Sequence, residues 1–181
     1  MNWFKFGSMK KKLLFIFSFA LILGCSDGDL QIETIDFDSV AIQDCANIDV
    51  TTGNVFFKIS TTEALILELQ SGVLNNGNST TDTVETVSSI PGNSQLVYRI
   101  FSDNVTSNYF CDDVPPATPT VIEEIEAADG SVIIKSIANV DSTAFSHTIQ
   151  LSGISLVNAA GERITDLSIS DFGEITTTIS N

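Results

Sequence analysis

The chain has 181 residues with 23 Asp and Glu against eight Lys and Arg, a formal net charge of −15. Four of the eight cations fall in the first twelve residues, so the 157 residues from Cys25 onward keep four cations against all 23 acids, a net charge of −19. Such a field repels nucleic-acid phosphates and anionic head groups, which excludes nucleic-acid binding, and 157 residues suit one domain with a real core better than two.

In chain order, Lys10 to Lys12 come first, then Leu13 to Gly24 (LLFIFSFALILG), uncharged and almost wholly apolar, then Cys25. Basic flank, apolar run and small-residue cut site follow each other as in a secretory signal peptide. The run of twelve residues is too short to cross a hydrocarbon core, which takes about 20 as a helix. Met9 directly precedes the lysines, so a complete signal starts there, and Met1 to Ser8 are left out of the fold reading. Ile22-Leu23-Gly24-Cys25 resembles the bacterial lipobox, whose cysteine becomes the acylated N-terminus after cleavage. That resemblance implies a lipidated Cys25, and with the leader and the chain length it gives the expected division: a signal peptide over 1–24, Cys25 with an acidic tether over 25–29, and a single domain over 30–181. One acyl chain holds a membrane only marginally, at about 0.8 kcal/mol per buried methylene, whereas two or three on one residue anchor it. The following Ser26-Asp27-Gly28-Asp29 resembles the acid-rich tract of lipoproteins displayed on the cell surface of Bacteroidota, with Gly28 interrupting the acids.

Beyond the tether, short runs rich in Val, Ile, Phe and Thr alternate with Gly, Asn, Asp and Ser clusters, the pattern of many strands and few helices. Strands are expected near 30–37, 54–60, 63–70, 95–102, 107–111, 120–127, 131–138, 145–157, 163–169 and 173–179. The polar stretch 70–94 reads as a long loop holding one edge strand at 84–88. Residues 112–119 (DDVPPATP) carry three of the four prolines and read as a stiff crossing connection. "EALILELQ" is apolar at both parities, so it is expected inside a sheet covered on both faces. Asp129-Gly130, between two strand-like runs, reads as a hairpin turn. From Phe145 the apolar residues sit at odd positions and from Ile154 at even ones, which implies a β-bulge at Ser152-Gly153. The fold class that follows is all-β, an antiparallel β-sandwich, with a closed or partly open β-barrel as the alternative.

Assigning Cys25 to lipid leaves Cys45 and Cys111 as an even pair, expected to form a disulfide in an oxidising compartment. Closing their 66-residue separation is worth roughly 4 kcal/mol in the chain-entropy picture. Two cysteines and one histidine without CxxC or HxxxH spacing do not compose a zinc cage. The only histidine, His147, shares its parity with Phe145, Ile149 and Leu151, and is expected to face the core as a hydrogen-bonded structural residue. No GxSxG elbow and no phosphate-binding glycine loop occurs in the chain, so no catalytic or cofactor-binding residue is assigned and no cofactor is expected. Acidic neighbours at Asp27/Asp29, Asp36/Asp38, Asp112/Asp113 and Glu123/Glu124/Glu126 lack calcium-loop spacing; Asp112 and Asp113 are the first to test for calcium. After the leader only Tyr98 and Tyr109 remain as polar aromatics, with no tryptophan, which does not favour glycan stacking. Asp38-Ser39-Val40, Asp82-Thr83-Val84 and Asp141-Ser142-Thr143 resemble the short O-glycosylation motif of exported Bacteroidota proteins.

The stretches "FFKISTTEALILELQ", "QLVYRIFSDNVTSNYFCDDVPPATPTVIEEIEA" and "HTIQLSGISLVNAAGERI" together resemble small outer-membrane lipoproteins of Bacteroidota, of the flavobacterial type, to which no activity is assigned. The resemblance implies an outer-membrane location, lipid-anchored through Cys25 and open to surface exposure. It implies no catalytic residue. A non-enzymatic binding or accessory component with an envelope protein partner is the first expectation. A carboxylate-based hydrolase or calcium-dependent enzyme, whose acids meet only in the fold, is the second.

Overall fold

A computed structural model describes residues 34–45, 48–77, 83–164 and 166–178. The expected signal peptide, Cys25 and the tether lie outside the described residues. Among the described residues ten strands and one short helix follow in order: β1 (Thr34–Asp36), β2 (Asn54–Ser60), β3 (Glu63–Leu69), β4 (Thr83–Ile90), β5 (Gln95–Phe101), α1 (Asn108–Cys111), β6 (Val121–Ala138), β7 (Ala144–Val157), β8 (Arg163–Ile164), β9 (Asp166–Ser168) and β10 (Asp171–Thr178).

The architecture is an antiparallel β-sandwich, not closed into a barrel. In the first sheet β2, β3 and β5 lie side by side, and the first half of β6 joins β5. In the second, the latter half of β6 lies between β4 and β7, and β10 flanks β7. β8 extends β7 at its far end, and β1 pairs with β9 in parallel. Phe56, Leu65, Leu67, Leu96 and Tyr98 from the first sheet meet Val132, Ile134, Ile149, Leu151, Phe172 and Ile175 from the second in one continuous core. Each such aliphatic or aromatic side chain, fully buried, contributes about 1.5–3 kcal/mol.

β6 belongs to both sheets because it bends. Its inward residues are Ile125 and Ala127 before the bend and Val132 and Ile134 after it, a switch from odd to even positions across Asp129-Gly130. The register with β7 shifts at the same place, and β7 itself switches parity beyond Ser152-Gly153, where Gly153 has φ +65°. The expected bulge in β7 is therefore present. The expected Asp129-Gly130 hairpin is not: one strand continues through the bend without reversing, with Glu126 opposite Val97 on one side and Ala127 opposite Leu156 on the other. An Asp-Gly pair supplies the unusual backbone that a turn and a bulge both need. The partners decide between them, and here both flanking runs find better partners elsewhere than each other.

β3 is buried on both faces as the sequence implies. Leu65 and Leu67 enter the inter-sheet core, while Ala64 and Ile66 join Phe57, Val97, Phe101 and Val105 in a second cluster on the outer side of the first sheet. That outer cluster is covered by Tyr109 and Phe110. Residues 107–111, expected as a strand, are instead the single turn α1. A strand would send Tyr109 and Phe110 to opposite faces; the helical turn lets both rings reach the same apolar surface. β4 is the strand expected in the 70–94 stretch, extended to eight residues and paired only with β6, an edge strand as anticipated.

Candidate functional site

The inner face of the second sheet carries a polar chain among its apolar residues. Ser136 on β6, His147 on β7 and Thr177 on β10 share the inward parity of Ile134, Ile149 and Ile175, so the sheet places three hydrogen-bonding side chains in one row. Ser136 Oγ lies 2.7 Å from His147 Nδ1, and His147 Nε2 lies 2.8 Å from Thr177 Oγ1. Thr177 Oγ1 donates to Asn76 Oδ1 at 3.1 Å. The Thr177 hydroxyl has one proton, spent on Asn76, so it accepts from His147 Nε2–H, and His147 Nδ1 accepts from the Ser136 hydroxyl. The order serine, imidazole and orienting group has the form of a general-base dyad. Ser136 and His147 are fully buried, at 0 % exposure each, and Thr177 at 5 %. No substrate carbonyl can reach a serine sealed in this way, and the ring is oriented by a hydroxyl rather than a carboxylate. Burial holds the His147 imidazole below its ordinary pKa, in favour of the neutral ring that both bonds require. The core-facing, hydrogen-bonded histidine expected from alternation is what the fold contains.

A second buried polar group went unnoticed in the sequence. Lys58 on β2 shares the parity of Phe56 and is 1 % exposed. Its Nζ donates to the Phe37 carbonyl at 2.7 Å and the Asp171 carbonyl at 2.9 Å, and lies 5.5 Å from the Phe172 ring centroid. Burial lowers the Lys58 pKa, opposed by the negative charges of Asp171, Asp38 and Asp36. The ammonium thus ties the chain after β1 to the start of β10. Strand parity alone would have pointed its stem inward; what the residue meets there depends on elements 21 and 113 residues away.

The expected cation candidates do not converge. Asp112 and Asp113 are exposed neighbours at the end of α1, and among the described residues no group of three or more His, Cys, Asp or Glu side chains is placed to hold a metal. Glu124 pairs with Arg99 across β5 and β6. Asp38 accepts from the Asp171 amide at 3.2 Å, and Asp36 from the Asp38 amide at 3.2 Å. Asp49 is held below its usual pKa by the amide and then the hydroxyl of Thr51, a surface turn. Every carboxylate whose side chain is described is exposed except the half-buried Glu63 and Glu123. Tyr98 is buried in the main core, and Tyr109 packs edge-on against Phe101 at 4.9 Å. An open groove of about 430 Å³ lies between the end of β3 and the turn Gly92–Gln95, with Glu68 as its one acid. Two acids facing each other across a cleft, which an inverting glycosidase places roughly 6.5–9.5 Å apart, are not found there.

Cys45 and Cys111 lie at disulfide distance, with Cα atoms 5.0 Å apart. The bond joins α1 to the segment where Gln43 bridges to Phe57 at the edge of β2. The class that the fold defines is thus an antiparallel β-sandwich with a disulfide-held outer segment. The sequence matches no protein-family model, and no curated protein and no solved structure matches it at a significant level.

Proposed function

We propose that this protein is a lipid-anchored component of a bacterial cell envelope, held at the outer membrane through acylated Cys25, and that it works by binding rather than by catalysis. The observation that carries the reading is the order Lys10–Lys12, Leu13–Gly24, Cys25 at the head of an otherwise strongly acidic chain. An export signal too short to span a membrane, ending on a cysteine, leaves acylation as the means of attachment. The disulfide between Cys45 and Cys111 accords with an oxidising compartment. Support also comes from how the described polar groups are used: His147 and Lys58 are sealed in the core and bonded to protein partners, while the carboxylates spread over the surface. Of the four cations after the leader, Lys58 is buried and Arg99 is paired, so the exterior is almost uniformly acidic. A partner in the envelope would therefore meet it through neutral or basic surface.

The test is Cys25→Ser in the native host. The wild-type chain partitions with outer membrane and takes up labelled fatty acid; the variant accumulates uncleaved or unlipidated. Unchanged membrane attachment of the variant, without label, removes the anchor. Crosslinking of the anchored protein in intact envelopes then identifies the partner.

A further inference from the structure

We infer that α1 is a redox-fastened strap: the Cys45–Cys111 disulfide clamps a hinged loop over the apolar outer face of the first sheet, and reduction by a dithiol releases the loop while the sandwich stays folded.

The loop is an excursion whose two ends meet. Ser102 N donates to the Thr120 carbonyl at 2.9 Å, and Thr120 N donates to Ser102 Oγ at 3.0 Å, so the chain leaves and rejoins the sheet at one point. Between them, the Val105 amide bonds to the Thr61 carbonyl at 2.9 Å. The amides of Tyr109, Phe110, Cys111 and Asp112 bond only to carbonyls of residues 106–108, inside the loop itself. A helix of four residues does not hold by itself in water, because nucleation costs more than one turn returns. What fixes it to the body of the protein is the stack of Phe110 on Phe57 at 4.6 Å, the edge contact of Tyr109 with Phe101, and the disulfide.

The clamp is reachable and the face beneath it is not. Cys45 and Cys111 are both exposed, whereas Phe57 and Phe101 are 0 % and 2 % exposed. A thiolate of the dithiol attacks one sulfur and the other cysteine leaves as thiolate; the donor's second thiolate then attacks the donor sulfur of the mixed disulfide and expels the remaining cysteine as thiolate. Two electrons and two protons pass to the cysteines, and the donor becomes a disulfide. The inter-sheet core lies on the opposite side of β2, β3 and β5 and shares none of its buried residues with the outer cluster. Release of the loop is therefore local: it uncovers Phe57, Ile66, Val97 and Phe101 without opening the sandwich.

The experiment is hydrogen–deuterium exchange on the full chain in detergent, with and without dithiothreitol. In the oxidised protein the amides of 109–112 and of β2 are protected. On reduction, peptides covering 106–112 are expected to exchange at least tenfold faster, with β2 peptides following, while peptides of β7 and β10 keep strong protection. Unchanged exchange in 106–112 overturns the proposal, because the rings alone then hold the loop. Simultaneous loss of protection in every strand overturns it too, because the bond then supports the whole domain. The Cys45→Ser/Cys111→Ser chain is expected to show the released pattern without reductant; a further response of that chain to dithiothreitol assigns the effect elsewhere and refutes the strap.

Discussion

Replacing Gly130 by alanine tests whether β6 is one bent strand or two strands joined by a turn. Gly130 has φ +134°, and a Cβ built there would lie 2.6 Å from Ile154 Cδ1, 3.1 Å from Ile154 Cα and 3.2 Å from Ile154 N. The Cδ1 methyl can rotate away, but the backbone atoms belong to the bent β7 and cannot. Backbone strain in this nearly glycine-only region costs about 1–3 kcal/mol, and forced overpacking adds about 1–3 kcal/mol. Gly130→Ala is therefore expected to lose about 2–6 kcal/mol, a large part of the roughly 5–15 kcal/mol that holds a domain together. Gly153→Ala at the facing bulge is the internal control: φ there is +65° with nothing within 4 Å of the added Cβ, so only the left-handed backbone is penalised, by about 1–2 kcal/mol. The assay is urea unfolding at pH 7.5 with the slopes compared, since an unchanged slope assigns the midpoint shift to stability. If Gly130→Ala costs no more than Gly153→Ala, the two strands do not press together at the bend as described, and the account of β6 fails.

Three further outcomes follow from the polar groups, two buried and one exposed. His147 has its folded-state pKa lowered by burial, so the unfolded chain binds the extra proton first; stability is complete above the ordinary histidine pKa of about 6.5 and falls as pH drops below it. The urea midpoint should decline between pH 7 and pH 5, and less so in His147→Gln; equal declines would show that other groups titrate. Lys58→Met removes the ammonium donor from the carbonyls of Phe37, which keeps the Val40 amide, and of Asp171, where a buried acceptor left unpaired costs about 1–3 kcal/mol, partly offset by the ammonium's lost desolvation cost. A net loss of about 2 kcal/mol in urea unfolding is expected, and a gain would mean that desolvation outweighs both bonds. Finally, Asp112→Asn/Asp113→Asn should leave thermal stability in millimolar calcium unchanged, and a calcium-dependent shift present only in the wild-type chain would restore a cation site at the end of α1.

Patterns confined to one strand were legible in the sequence. The double-sided burial of β3, the inward parity of His147 and the bulge at Ser152-Gly153 each follow from which residues alternate, because a strand sends successive side chains to opposite faces whatever its neighbours are. The cysteine pair was legible by elimination once Cys25 was set aside as the expected site of lipidation. What depended on partners was not legible. Asp129-Gly130 has the same local chemistry in a hairpin and in a bend, and only the pairing of Glu126 with Val97 and of Ser131 with Ser152 makes it a bend. Tyr109-Phe110 reads locally as strand, and becomes a helical turn because an apolar face formed by β2, β3 and β5 stands opposite both rings. Strand parity turns Lys58 inward, but what its ammonium meets there, the carbonyls of Phe37 and Asp171, belongs to distant parts of the chain. The sequence by itself therefore determined an acidic all-β chain, and it raised the expectation of an export signal and an anchoring cysteine. The tertiary structure decided which runs join, where the outer face is covered and which polar groups are sealed, because those depend on contacts between residues far apart in the chain.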